Sequence, residues 1–192
     1  MQKNKTVFFS EYASRLQTVL TTFNWNNVSL LAQDMMLCWV EHRQVFICGN
    51  GGSAGNAIHL ANDFLYGVAK KTGGGIRVSA LSANAAVITC LGNDLGYESI
   101  YSEQLAVQGK AGDLLIALSG SGNSPNIIKT IEQAKIMGVK SYAILGYSGG
   151  ICKEIVDVPI HFQINDMQIA EDLQLIVGHM IMQRLYDQRS KN

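Results

Sequence analysis

Residues 114–126 read LLIALSGSGNSPN, and IIKTIEQAKIMG (127–138) follows at once. Five apolar residues run into a segment of Ser, Gly and Asn, and then a helical pattern begins. This is a buried strand feeding a small-residue loop that opens a helix. Such a loop leaves backbone N–H groups free at the positive end of the helix dipole, where a phosphate binds. Ser119, Ser121 and Ser124 add three hydroxyls, and Gly120 keeps the backbone open between them. The loop contains no Lys or Arg and lacks the G-K-[ST] ending that reaches a nucleotide's outer phosphates. Neutral donors of this kind suit a sugar monophosphate better than a nucleoside triphosphate. Ser/Gly/Asn stretches are also ordinary turn chemistry; a second loop of the same kind weighs against that plainer reading.

Outward from this stretch, apolar runs recur at 45–49 (VFICG), 76–81 (IRVSAL), 142–146 (YAILG) and 158–164 (VPIHFQI). Helical or turn segments lie between them. Strands alternating with helices predict a parallel sheet covered on both faces. The expected fold is therefore α/β, a doubly wound three-layer sandwich with a five-stranded parallel sheet. Two helices, at 6–20 and 27–42, form an N-terminal extension. One domain over 1–192 is expected, with helices in 1–44 and the α/β core in 45–192. Pro125 stands where a helix would start, which suits its missing N–H.

The chain has 192 residues, 47% of them apolar, enough to bury a sizeable core. Net charge is zero, and Lys and Arg are scattered. Direct nucleic-acid binding is therefore not expected. The start, MQKNKTVFFSEYASR, does not read as a secretory signal. No apolar run is long enough to span a bilayer, so no membrane partner is expected. Cys38, Cys48, Cys90 and Cys152 are dispersed without C-x-x-C spacing and read as reduced thiols, which fits a cytoplasmic protein. The last helix, at about 167–187, is apolar on most faces from Leu173 to Met182. Such a helix must be covered all round, which predicts a homo-oligomer.

The first strand ends in CGNGGSAGN (48–56). Gly49, Gly51 and Ala54 match the dinucleotide pattern loosely, but the second strand ends without the acid that binds ribose. No nucleotide cofactor is expected. In doubly wound sheets the ligand lies outside the C-terminal ends of the strands. Loops 49–53 and 119–124 would then flank one crevice. The second would clamp the phosphate, and the first would meet the sugar through Asn50, Gly51, Gly52 and Ser53.

His59 and Asp63 follow in helix spacing i, i+4 and share a face. They read equally as an acid/base pair, as two metal ligands, or as a plain surface pair. LGND at 91–94 reads as a turn before a helix, either a cap or a means of bringing Asn93 and Asp94 to sugar hydroxyls. His179 stands among Leu, Ile, Val and Met, as a hydrogen-bonded core histidine or a ligand. The metal reading joins His59, Asp63, Glu171 and His179 in a two-His, two-carboxylate site suited to zinc. Glu171 and His179 are eight residues apart in sequence, about 12 Å of helix rise, which strains that set.

Taken together, GNGGS (49–53), HLAND (59–63), LGND (91–94), SGSGNSPN (119–126), GGICKEIVD (149–157) and AEDLQLIVGH (170–179) resemble the sugar isomerase (SIS) domain, and within it the phosphoheptose isomerases. The ordered set spans nearly the whole chain after residue 45. The resemblance implies interconversion of sedoheptulose 7-phosphate and D-glycero-D-manno-heptose 7-phosphate through an enediol(ate). It also implies a homotetramer with interfacial sites and, as in some members, one zinc per site. By position, Ser119, Gly120, Ser121 and Ser124 would hold the phosphate. Asn50, Gly51, Gly52, Asn93 and Asp94 would contact the sugar, and His59, Asp63, Glu171 and His179 would fall on catalytic and metal positions. Asp63 replaces a glutamate of the family, Glu171 a glutamine, and Gly67 an arginine. Two alternatives accompany this reading. One is a non-catalytic SIS-domain adaptor of the replication-initiator-associating type. The other is an isomerase of a different phosphosugar, with specificity set around residues 63–75.

Overall fold

The computed structural model describes residues 5–70 and 73–189. The two ends of the expected 1–192 domain, and residues 71–72 of the 63–75 segment, lie outside the described residues. Helices α1 (Lys5–Thr22) and α2 (Asn26–Val40) come first. The core then runs β1 (Gln44–Gly49), α3 (Gly52–Leu65), β2 (Arg77–Ala80), α4 (Ala85–Asp94), α5 (Ser102–Gln108) and β3 (Leu114–Ser119). It continues with α6 (Pro125–Met137), β4 (Lys140–Leu145), α7 (Gly150–Ile155), β5 (Val158–His161) and α8 (Met167–Arg189). All five strands are parallel, in the order β2-β1-β3-β4-β5. The expected doubly wound sheet is present.

Strand side chains alternate between two apolar layers, as the pleat requires. Val45, Ile47, Leu114, Ile116, Leu118, Tyr142 and Ile144 pack under α2, α3 and α8. Phe46, Cys48, Leu115, Ala117, Ala143 and Leu145 pack with Ile127, Ile131 and Cys152 of α6 and α7. β3 is buried along its whole length, which explains its unbroken apolar run. Pro159 lies in β5, an edge strand where a missing N–H is tolerated.

Two sequence expectations need correction. The runs 76–81 and 158–164 are longer than their strands, because Ile76, Leu81 and Phe162 continue the core beyond the ladder. LGND (91–94) is the last turn of α4 and not a turn before a helix. Asn84 caps α4 instead, its Oδ1 accepting from the N–H groups of Ala86 and Val87 at 3.1 and 3.2 Å. The apolar character of α8 is largely used within the chain. Leu173, Val177 and Ile181 are buried, Leu175, Ile176 and Met182 are partly covered, and Met180 remains exposed. No helix among the described residues is long and apolar enough to cross a membrane.

α8 crosses α3 closely at Gly178. A Cβ there would fall on the side chain of Leu60, itself buried, so only glycine lets the helices approach. Overpacking a closed core costs about 1–3 kcal/mol. Gly178→Val is therefore expected to lower Tm by several degrees, read by differential scanning fluorimetry. An unchanged Tm would show that the crossing has slack.

Candidate active site

The strand order reverses between β1 and β3, so the chain leaves these two strands in opposite directions and opens a crevice at their C-terminal ends. A cleft of about 290 Å³ lies there. Asn50, Gly51, Gly52 and Ser53 form one wall, and Ser119, Gly120, Ser121 and Ser124 the other. Met167 and Glu171 of α8 close the third side, and among the described residues no Lys or Arg lines it.

The local geometry follows from small residues. Gly51 caps α3 at φ 54°, ψ −121°, a conformation open to glycine alone. Gly122 has φ 67°, and a Cβ there would meet the carbonyl of Gly149. The Gly122 N–H donates to Ser119 Oγ at 3.1 Å, and the Asn123 N–H to Ser121 Oγ at 3.2 Å. Both hydroxyls accept these bonds and keep their own protons for a ligand. Ser124 is the N-cap of α6 with Pro125 at the helix start, but its side chain makes no capping bond. Its hydroxyl is left to the cleft.

A second cluster lies further along the same pair of helices. His59 Nε2 is 3.0 Å from His179 Nε2, and Asp63 Oδ2 is 3.4 Å from the first and 3.5 Å from the second. The three donor atoms form a near-equilateral triangle. The Asp63 side chain is 17% exposed, against 49% for His59 and 45% for His179. Asp63 Oδ1 takes only a long bond from Asn62, at 3.5 Å. Gly52 and His59 are seven residues apart on α3, so the cleft and the triad are separated by about 10 Å of helix.

Glu171 does not join this triad. Its carboxylate lies over Gly52 at the start of α3, where a Cβ would collide with both oxygens. The eight-residue separation from His179 is the reason, since α8 stays helical throughout. Asn93 and Asp94 are exposed, bond to each other at 2.7 Å and do not line the cleft. Asp94 also accepts from Cys90, which raises the thiol's pKa chiefly through that bond.

Several supporting residues were not singled out from sequence. Gln174, 1% exposed, donates to Ser53 Oγ at 3.0 Å and accepts from Asn56 Nδ2 at 2.9 Å. Asn56 Nδ2 also reaches the Glu171 carbonyl at 3.0 Å, so α8 is bonded to α3 beside the cleft. Tyr101 donates to the Gly49 carbonyl at 2.5 Å, and burial pushes its phenol well above the usual range. Asn126 pairs with Asn50 through two 2.8 Å bonds. The legible signal was a polar residue on an otherwise buried face. Tyr12 and Arg15 of α1 bond to Asp172 and Asp166 at 2.5 and 2.6 Å, fixing the start of α8. Burial first, then the Asp172 bond, push the Tyr12 phenol up to about 12. The Ile169 N–H is the main influence holding the Asp166 carboxyl low. All four cysteines are free, and burial raises Cys38 and Cys152 to about 11.

Residues 7–146 match the family model for the SIS domain. The chain is 38% identical over 138 residues to the phosphoheptose isomerase of Akkermansia muciniphila, covering 72% of each chain. It is 38% identical over 138 residues to the phosphoheptose isomerase of Rhodospirillum rubrum, covering 72% of this chain and 73% of that one. The solved phosphoheptose isomerase of Neisseria gonorrhoeae superposes with a TM-score of 0.86 at 25% identity, over 96% of this chain and 97% of that one. The family model spans most of the chain and these relatives share more than a third of the aligned residues, so the chain belongs to the SIS-domain family, and within it to the phosphoheptose isomerases.

Proposed function

We propose that the protein isomerises sedoheptulose 7-phosphate to D-glycero-D-manno-heptose 7-phosphate. The observation that carries this is the placement of the serine-loop cleft at the start of α3 and the His/Asp triad about 10 Å further along that helix. A phosphate held at Ser119, Ser121 and Ser124 leaves a long sugar chain to reach the triad. The separation suits a six- or seven-carbon chain and is too long for a triose. Relatives named phosphoheptose isomerase support the same substrate.

The reaction moves a proton between C1 and C2 of the sugar. Asp63 is placed to take it, because Oδ2 faces the two imidazoles and Oδ1 is left nearly free. Removal of the C1 proton turns the ketose into an enediolate, while His179 gives a proton to the C2 oxygen. His179 then takes the proton of the C1 hydroxyl, the protonated Asp63 returns a proton to C2, and the aldose carbonyl forms at C1 as both groups regain their starting states. Proton transfer by a positioned group contributes about 10²–10⁴-fold. Glu171, over the first turn of α3, is better placed to orient the sugar than to act as base.

The triad also fits zinc. Ligands at about 2.0–2.1 Å on a tetrahedral ion lie roughly 3.3 Å apart, close to the 3.0, 3.4 and 3.5 Å found between the donor atoms. In a zinc-loaded protein His59, Asp63 and His179 would hold the ion, whose Lewis acidity at a sugar oxygen would take the place of the His179 proton, leaving Asp63 Oδ1 as the base. Glu171 is excluded from that ligand set by its place on α8.

One observation favours a related sugar as a second reading. Gly67 is buried against Met182, whose Cε would lie 2.8 Å from an added Cβ. The arginine that the resemblance implies at this position would have to displace Met182, and its replacement by Gly67 points to altered substrate contacts.

We further propose a homotetramer with the triad at a subunit interface. The two histidines are half-exposed, and Ile58, Leu65, Tyr66 and Met180 on the same helices and the turn after α3 present apolar surface. Free thiols support a cytoplasmic location.

The test is proton NMR of sedoheptulose 7-phosphate in D₂O with the purified protein. The aldose should appear with deuterium at C2, and no conversion would remove the reading. Asp63→Asn and His179→Ala should lower kcat by about 10²–10⁴-fold while retaining sugar-phosphate binding; a fully active His179→Ala enzyme refutes the assignment. Ser121→Ala should mainly weaken binding, by roughly 10-fold or more for a hydrogen bond to a charged group. If zinc serves the reaction, a chelator abolishes turnover and added zinc restores it. Light scattering should give a mass four times the 20.9 kDa chain; a monomer would rule out the interfacial site.

A further inference from the structure

We propose that Asn126 is a positioning residue that couples the phosphate loop to the sugar-facing loop through Asn50. The inference rests on the serine-loop reading above and goes beyond it. Asn126 is 1% exposed and lies in the first turn of α6, directly after the serines. Asn50 ends the opposite wall of the crevice, after β1. Their side-chain amides exchange two bonds of 2.8 Å, a reciprocal pair that fixes one loop against the other. Tyr97 adds a third bond to Asn50, 3.1 Å from its Oδ1.

An asparagine side chain offers two donors and two acceptor sites. Three of these four are taken within the protein at Asn50. The residue expected to contact the sugar is therefore first a strut, with one N–H left for a ligand. The far end of the strut is held as firmly. The Asn126 carbonyl accepts from Thr130 Oγ at 2.6 Å, and Lys129 on the next residues of α6 bonds Ser99 Oγ at 2.8 Å. Ser99 belongs to the short turn Tyr97–Ser99 that carries Tyr97. α6, that turn and the end of β1 thus form one closed polar circuit.

This circuit crosses the point where the strand order reverses, just beyond the last paired residues of β1 and β3, Gly49 and Leu118. Phosphate binding at the serines would be transmitted to loop 49–53 through Asn126 and Asn50. Without the pair, the phosphate would still bind, but the sugar chain would lose its register toward the triad. A misplacement of about 1 Å lowers turnover by about 100-fold.

The experiment is amide hydrogen exchange on the full-length protein with and without inorganic phosphate, paired with kcat and KM on sedoheptulose 7-phosphate. In the unmodified protein, phosphate should protect residues 119–126 and also 49–53. In Asn126→Ala, protection should persist at 119–126 and vanish at 49–53, with kcat reduced about 10- to 100-fold and KM nearly unchanged. Protection confined to 119–126 in the unmodified protein overturns the coupling, as does protection of both loops in Asn126→Ala. Phosphate that protects neither loop removes the serine-loop reading and the coupling together. Should Asn126→Ala fail to fold, Tyr97→Phe decides the matter from an exposed position. It should weaken protection at 49–53 and lower kcat by roughly 3- to 10-fold, the equivalent of one hydrogen bond. Unchanged exchange and kcat in Tyr97→Phe would then refute the circuit.

Discussion

The close crossing of α3 and α8 is the constraint on which the rest of the site depends. Gly178 lets α8 settle against Leu60, and Gln174, Asn56 and Ser53 bond the two helices one turn earlier. His59 and Asp63 stand one turn apart on one helix and His179 on the other, so the 3.0 and 3.5 Å separations of His179 from them are set by that crossing. The same contact places Met167 over Gly120 of the serine loop and Glu171 over Gly52 of the facing wall. Apolar packing is non-directional, and the glycine and the buried amides supply the direction. A polar group buried on such a face must be satisfied, and Gln174 meets this by bonding across to Ser53 and Asn56.

In the proposed reading the cleft would hold an anion without cations. Serine hydroxyls and the opening amides of α6 surround it, and the one charged side chain at its edge is the carboxylate of Glu171. A dianionic phosphate close to Glu171 would be repelled, so phosphate must stay on the serine wall, away from Gly52. The repulsion thereby acts as a positioning force in the proposed reaction. It leaves the α3 wall to hydroxyl groups, which a carboxylate accepts bonds from readily. Glutamate in place of the family's glutamine thus changes the donor pattern at this wall while keeping its acceptor.

Much of the architecture was readable because the strands are unambiguous. LLIAL and VFIC are buried on both faces, and each runs into a loop of small residues at the end where a parallel sheet opens. Pro125 marked the start of α6 as expected. The reading failed where local chemistry was ambiguous. Gly92, Asn93 and Asp94 look like a turn before a helix, but Asn84 had already capped the segment, and they end it. The grouping of His59, Asp63 and His179 without Glu171 depends on the crossing of two helices distant in sequence, which spacing along either one does not encode. Asn126 and Gln174 were visible as letters, but their partners, Asn50 and Ser53, lie 76 and 121 residues away.

The exposure of the triad links assembly to the proposed chemistry. An enediolate forming beside half-exposed imidazoles would be bathed in water, where a charge at 4 Å is worth about 1 kcal/mol instead of about 4 at a protein surface. Expelling that water strengthens each interaction with the developing charge. Among the described residues His59 and His179 are left about half-exposed, while Ile58, Leu65, Tyr66 and Met180 leave an apolar rim beside them. Contact at this rim by a second copy would bury the apolar side chains and dry the triad in one step. In the proposed tetramer the hydrophobic gain of assembly would offset the desolvation of Asp63, whose partners among the described residues are the two histidines and a long bond from Asn62. The site would then be complete only in the assembled protein, and weakening the rim would lower turnover before it lowered the stability of the fold.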